Sequence, residues 1–451
     1  MINLNIPMPA GLDSTVCDPL TGIVHRCFEM PLDPDDARLF CYVSEATRSQ
    51  RLAPGNPACP VFGCGVDETR EGARGAAMGE VLERYSATLS QPEIRHATYE
   101  ELRAEGLDAI APDRFALYTE AQYQEFDRQR PQLRRGDLKL PERFAPDSPA
   151  GWVEGFHLGT RRPAWVPAPF ALFPYDYEAG EPYLLDSSST GLACATSGTE
   201  ALLKALYEVV ERDSLTILWH AALELPSIPL EGALADLYEE RIAAPGLSCH
   251  LLDATLDTGI PTVMALLLDE RGGSIIGSCT RLDAQEAARK ALLEAAQGRI
   301  VWRRELAAGI ADARYEPGFR DVWQYSDHPR IYMDPAMQSQ LDFLYRSPQR
   351  RSLSDLPQLS TGTIQGDLEV ALERLATVGL EPIAFDMTLP DIEIAGYRVV
   401  RAVVPEMLAI NARHILPPLG SQRLREVPVR TGFASSPLTE GDLHTTIHPF
   451  A

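Results

Sequence analysis

Three stretches of the chain repeat one arrangement of small and acidic residues. The first carries Ala73, Ala77, Glu80, Glu83 and Arg84, the second Ala201, Ala205, Glu208, Glu211 and Arg212, and the third Ala287, Ala291, Glu294, Gln297 and Arg299. At about 100° per residue, the alanines and the acidic or amide positions of each stretch share one helix face. Alanines at i and i+4 permit close approach of another element, so the acids on the same stripe would line a cleft beside a tight contact. Glu200 adds a further carboxylate upstream on the second helix. A lone Glu-x-x-Glu-Arg reads as a solvated face with weak intrahelical pairs, but recurrence in one alanine phase argues for convergence. Converging carboxylates raise one another's pKa unless cations neutralise them. A donor set of hard oxygens favours Mg²⁺, which commonly keeps phosphate as a partner. Arginines nearby can meet phosphate oxygens as bidentate forks. This chemistry is that of a nucleoside triphosphate site.

Other chemistries find little support. There is no Gly-x-x-x-x-Gly-Lys-Ser/Thr loop, and Gly63-Cys64-Gly65 is only a lone Gly-x-Gly. The eight cysteines contain no Cys-x-x-Cys pair and read as reduced thiols, while the nine histidines show no metal-ligand spacing. A di-metal carboxylate oxidoreductase would need histidines that these helices lack. With 41 Lys+Arg against 64 Asp+Glu the net charge is −23, which disfavours nucleic acid. Apolar runs such as 261–268 are too short to span a bilayer, and the N-terminus has no signal-like apolar block. A cytoplasmic protein is expected.

Strands are expected at 261–269, 273–279, 382–387 and 397–404, the first two joined by the turn Glu270-Arg271-Gly272. Residues 367–378 read as a helix stopped by Gly379. The polar stretches 128–151 and 346–362 read as surface loops, and the segment after Asn411 is rich in Pro and Gly with little periodicity. The mixture predicts an α+β fold.

At the chemistry-bearing residues the chain resembles the YcaO family, and within it the cyclodehydratase D proteins of thiazole/oxazole-modified peptide pathways. The resemblance rests on Gly63-Cys64-Gly65-Val66-Asp67-Glu68 leading to Glu80 through Arg84, on Ser188-Ser189-Thr190-Gly191-Leu192-Ala193 leading to Glu200 and to Glu208 through Arg212, and on Glu294 through Arg299. Tyr99 to Leu102, Trp152 and Pro167-Ala168-Pro169 resemble the intervening region. It implies a YcaO-type ATP-binding fold with mixed sheets flanked by helices. Residues 1–60 would open the catalytic fold, 61–410 would form its core with an insertion near 97–175, and 411–451 would be a tail reaching toward the active site. The resemblance assigns Glu80, Glu83, Glu200, Glu208 and Glu211 to Mg²⁺ and triphosphate. Arg84, Arg212, Lys290, Glu294, Gln297 and Arg299 become nucleotide contacts. Two positions depart from the family: Ala76 stands where a serine is common, and Lys290 where an arginine is common, keeping charge but losing the fork.

The implied reaction is ATP-dependent cyclodehydration of a precursor peptide. A Cys, Ser or Thr side chain attacks the preceding amide carbonyl, the amide oxygen is phosphorylated, and phosphate leaves to give an azoline, with ADP as coproduct. For the proton lost in ring closure, the resemblance points to the chain end, with His448 or the Ala451 carboxylate as base. Expected partners are the precursor peptide, an E1-like or winged-helix leader-binding protein, a flavin-dependent azoline dehydrogenase as an optional addition, and a second copy of the chain as a homodimer. Thioamide or amidine formation at the same ATP site, or a non-catalytic scaffold role, are the alternative readings.

Overall fold

The three small-residue stripes become three long helices, each laid against the strand that precedes it. The structure is a computed structural model describing residues 16–19, 21–47, 61–90, 92–133, 138–270, 273–309 and 314–450. β1 (Val24–Glu29), β2 (Phe40–Ala46) and β3 (Phe62–Asp67) form an antiparallel sheet, with α1 (Arg70–Leu89) following at once. β4 (Ile94–Ala97), β5 (Ala150–His157) and β6 (Arg162–Pro167) then enter a second sheet. Next come β7 (Leu192–Ala195) and α2 (Gly198–His220). A third, antiparallel sheet holds β8 (Ser227–Ile228), β9 (Leu247–Asp253), β10 (Thr262–Asp269) and β11 (Ser274–Thr280), followed by α3 (Ala284–Ala307). The chain returns through α4 (Ile364–Thr377), β12 (Ile383–Asp386) and β13 (Arg398–Val403), and near its end forms α5 (Gln422–Arg430). The second sheet runs β4-β5-β12-β13-β7, with β6 paired to β5. The fold is mixed α/β in composition with antiparallel sheets, as the α+β expectation requires.

Each of the three helices starts on a side-chain cap: Thr69 accepts from the Gly72 N–H, Ser197 from Glu200, and Asp283 from Gln285 and Glu286. Each cap stands eleven residues ahead of its glutamate, Thr69 for Glu80, Ser197 for Glu208 and Asp283 for Glu294. The alanine stripe does what its spacing implies. A Cβ on Gly65 would meet the Ala73 carbonyl oxygen at 2.2 Å, and one on Gly277 would meet the Ala295 nitrogen at 2.3 Å. Backbone therefore packs on backbone, with Ala73, Ala77, Ala287 and Ala291 wholly buried at the seams.

The core explains the apolar run at 261–268. All eight residues of β10 are buried, since α3 covers one face through Val263, Ala265 and Leu267 while Trp219, Tyr332 and Phe343 belong to the cluster on the other. Each enclosed leucine contributes on the order of 2 kcal/mol. The four strands and the helix read from the sequence are present with ends shifted by no more than three residues. Arg271 and Gly272, in the expected turn, lie outside the described residues. The 97–175 segment is knitted into the second sheet, because Ile383 of β12 pairs with His157 of β5.

The last forty residues differ from their aperiodic reading. They form α5 despite Pro428, and they end packed in the core: Trp219 Nε1–H donates to the Thr446 carbonyl at 2.9 Å, the Tyr332 hydroxyl to Ile447 at 2.6 Å, and Phe450 is buried beside both rings. Among the described residues no helix is long and apolar enough to cross a membrane. The described cysteines are all free thiols; Cys59 lies outside the described residues.

Candidate functional site

Each helix fastens its glutamate to its own strand. The Cys64 N–H donates to Glu80 Oε2 at 2.8 Å, the Gly191 N–H to Glu208 at 3.1 Å and the Ser278 N–H to Glu294 at 2.9 Å. The residue one turn further on faces the neighbouring unit. Glu211 accepts from the Ser278 hydroxyl at 2.9 Å and the Thr280 N–H at 3.0 Å, Gln297 hydrogen-bonds the Cys64 thiol, and Glu83 lies beside Cys194. Three units thus join in a ring around one cleft of about 550 Å³.

Glu80, Glu83, Glu208, Glu211, Glu294, Arg212, Lys290 and Gln297 all line that cleft. Arg84 does not itself line the cleft but stands behind two of these residues, 3.9 Å from Glu80 and 3.7 Å from Glu83. Arg212 is 3.9 Å from both Glu208 and Glu211, loose pairs that leave guanidinium N–H groups available to a ligand. Burial pushes the Glu83 carboxyl well above its ordinary value, Glu208 and Glu80 push it further, and Arg84 opposes them. Glu208 is raised by burial against the pull of Arg212 and Arg84. Glu294, though open to cleft water on one side, is pushed up to about 7 by the surrounding protein and then by Glu211. Carboxylates in this state are under-neutralised, and a bound cation is the partner that would keep them ionised.

Three expected contacts lie elsewhere. Arg299 is buried away from the cleft, donating to the Asp35 carbonyl at 2.8 Å and pairing with Asp269 at 3.5 Å. The reason is one residue of phase: Arg84 and Arg212 follow their glutamates by four positions, about 40° around the helix, whereas Arg299 follows by five, about 140°. Glu200, in the first turn of α2, is taken by Lys204 at 2.7 Å and does not line the cleft. His448 is buried, stacks on His328 at 3.8 Å, donates through Nε2 to the Asn411 carbonyl and accepts the Phe450 N–H at Nδ1. Burial holds it well below its ordinary value, so it has neither the position nor the free lone pair of a base. Ala451 lies outside the described residues.

The cleft also contains cations that motif reading passed over. Lys204 lines it at the position four before Glu208, matching Lys290 before Glu294 and Ala76 before Glu80. That shared register was visible in the sequence. Arg281 lines it too, with its guanidinium 5.2 Å from the Tyr207 ring. The donor set is hard. Burial pushes the lining thiols Cys194 and Cys279 up to about 12, leaving oxygen as the ionised donor. Among the described residues no three side chains close on a point tightly enough to cage a metal unaided. Mg²⁺ commonly completes its shell with phosphate oxygens and water.

Comparison with known proteins agrees with this geometry. Residues 63–408 match the family described as YcaO cyclodehydratase, ATP- and Mg²⁺-binding. An uncharacterized protein of Methanothermobacter thermautotrophicus is 28% identical over 362 residues, covering 78% of this chain and 83% of that one. A heterocyclase in complex with substrate and cofactor superposes with a TM-score of 0.76 at 23% identity, covering 97% of this chain, which spans only 56% of that protein's length. The YcaO protein from Methanopyrus kandleri bound with AMPPCP and Mg²⁺ superposes with a TM-score of 0.59 at 24% identity, covering 85% of this chain and 86% of that one. With Glu80, Glu83, Glu208, Glu211 and Glu294 gathered on one cleft and a match over most of its length, the chain belongs to the YcaO family, whose cofactors are ATP and Mg²⁺.

Proposed function

We propose that the chain is an ATP-dependent cyclodehydratase that converts Cys, Ser or Thr residues of a ribosomally made peptide to azolines. The observation that carries this reading is the single cleft in which three helices present Glu83, Glu208, Glu211 and Glu294, interleaved with Lys204, Arg212 and Lys290 and joined by Arg281. Such a site has few protein nucleophiles and many charges, the composition that phosphoryl transfer uses. MgATP, when bound, supplies the phosphoryl group that makes the peptide's amide oxygen a leaving group. The chain's own part is positional. The glutamates would hold Mg²⁺ directly or through its waters, and the lysines and arginines would neutralise phosphate oxygens. Gln297 and Glu211 brace the strands beneath, through Cys64, Ser278 and Thr280. Likeness to a heterocyclase complex supports the choice of peptide heterocyclisation among ATP-dependent reactions.

The test is mass spectrometry of Cys-, Ser- and Thr-containing peptides incubated with MgATP and the chain, alone and with a candidate leader-binding protein, with ADP and phosphate measured in parallel. Loss of one water per ring, matched by one phosphate, is the expected result. Replacement of oxygen by sulfur, or addition of an amine, would assign the cleft to thioamide or amidine formation instead. Absence of ATP binding would leave only a scaffold role.

A further inference from the structure

Behind the carboxylate end of the cleft lies a second, more enclosed cavity of about 120 Å³. The partition is short: Ser188 and Thr190 line the cavity, while Leu192 and Ala193 line the cleft. Arg401 of β13 spans it. The residue lines the cavity, and its guanidinium donates to the Ser188 carbonyl at 2.6 Å and the Phe170 carbonyl at 3.1 Å and feels Glu208 and Glu83 on the cleft side. Arg401 is 4% exposed, and its Nε–H has no hydrogen-bond partner among the described residues. That Nε–H has almost no surface open to the cavity, so Arg401 serves as a brace of the partition. The remaining walls are mostly apolar, with Phe115, Phe170, Met407 and Ile410 among them. The rim is held under strain: Glu406 adopts φ of +76°, kept there by its ion pair to Arg114 and its N–H bond to the Arg114 carbonyl.

We infer that this cavity receives the substrate residue immediately before the one that cyclises, taking its apolar side chain against Phe115, Phe170 and Met407. The assignment rests on the cyclodehydratase reading, in which that preceding residue owns the carbonyl under attack and so lies beside the cleft carboxylates. A wall made mostly of apolar side chains suits an aliphatic or aromatic side chain better than a free anion. The cavity, on this view, sets which Cys, Ser or Thr residues are chosen.

Equilibrium binding tests it without turnover. The probes are N-acetyl-Gly-Cys-amide, N-acetyl-Leu-Cys-amide and N-acetyl-Phe-Cys-amide, titrated by ligand-observed NMR into the full chain saturated with Mg²⁺ and AMPPCP. The leucyl and phenylalanyl probes are expected to bind about tenfold more tightly than the glycyl probe, the gain that partial burial of such side chains gives. Ala409→Leu, which fills the cavity, should erase that difference while leaving AMPPCP affinity within about twofold, as its position away from the cleft implies. Met407→Ala, which widens the cavity, should favour the phenylalanyl probe over the leucyl one, and serves if the first variant does not fold. Equal binding of the three probes, or a ranking unmoved by both variants, overturns the inference. A chain that ranks the probes as expected yet releases no phosphate with any peptide would instead count against the cyclodehydratase reading.

Discussion

Glu83 shows how much of the site's character resides in single side chains. Its carboxyl binds a proton more tightly in the fold than in the unfolded chain, because burial and two neighbouring carboxylates oppose its charge. Once pH passes the unfolded carboxylate value of about 4.3, the native state holds the extra proton, so this group's contribution to stability falls as pH rises. Glu83→Gln should therefore gain on the wild type in thermal denaturation between about pH 5 and about pH 8, an interval chosen around the raised carboxylates. A constant or shrinking difference would contradict the assignment. Mg²⁺ requires the ionised form, so Mg-AMPPCP affinity in the wild type should climb over the same interval, with proton release detectable by calorimetry. The arginines separate two roles. Arg212→Ala should abolish nucleotide binding with little change in melting temperature, whereas Arg299→Ala breaks a buried pair with Asp269 and should lose about 3 kcal/mol or more of stability in a denaturant titration. Loss of binding from the Arg299 variant while its stability is intact would return that residue to the site.

At the scale of elements, the seams between strand and helix are the sensitive places. Gly65→Ala or Gly277→Ala would drive a methyl group into backbone atoms that have no room to move. Each should lower stability by about 3 kcal/mol and weaken nucleotide binding along with it, as measured by urea denaturation and AMPPCP titration. If either substitution were neutral, the close approach described here would be wrong. These seams are also where the sequence was most readable. Spacing of Ala73, Ala77 and Glu80 was enough to place a helix face on a cleft, and Glu294 followed from the same register, whereas Lys290 came only from the family resemblance. Arg299 was misplaced because arginine identity was weighed above its angular phase. Lys204 occupied a legible position but was not compared across the three helices. Arg401 gave no periodic signal at all, since it lies on a strand, and only tertiary packing brings it to the cavity beside the cleft. The segment after Asn411 was opaque for a similar reason: its order comes from Trp219, Tyr332 and His328, all distant in sequence.

For the whole molecule, the chain end acts as core. Removing residues 448–451 takes Phe450 away from Trp219, and should lower stability by about 3 kcal/mol, the usual loss for a buried aromatic ring. Loss of activity in such a truncation would thus report unfolding first, so the melting temperature has to be read beside the rate; an unchanged melting temperature would refute the packing role. Nucleotide should act in the opposite direction, with Mg-AMPPCP at about a hundred times its dissociation constant adding about 2.7 kcal/mol, and far less when Mg²⁺ is chelated. The manner in which Glu211 and Gln297 reach across to strands of other units, with Glu83 beside Cys194, has a further consequence. A gene cut between any two of the motifs would yield halves that each own walls but no enclosure, and restoring ATP capture by mixing them would amount to a complementation assay for the assembled ring.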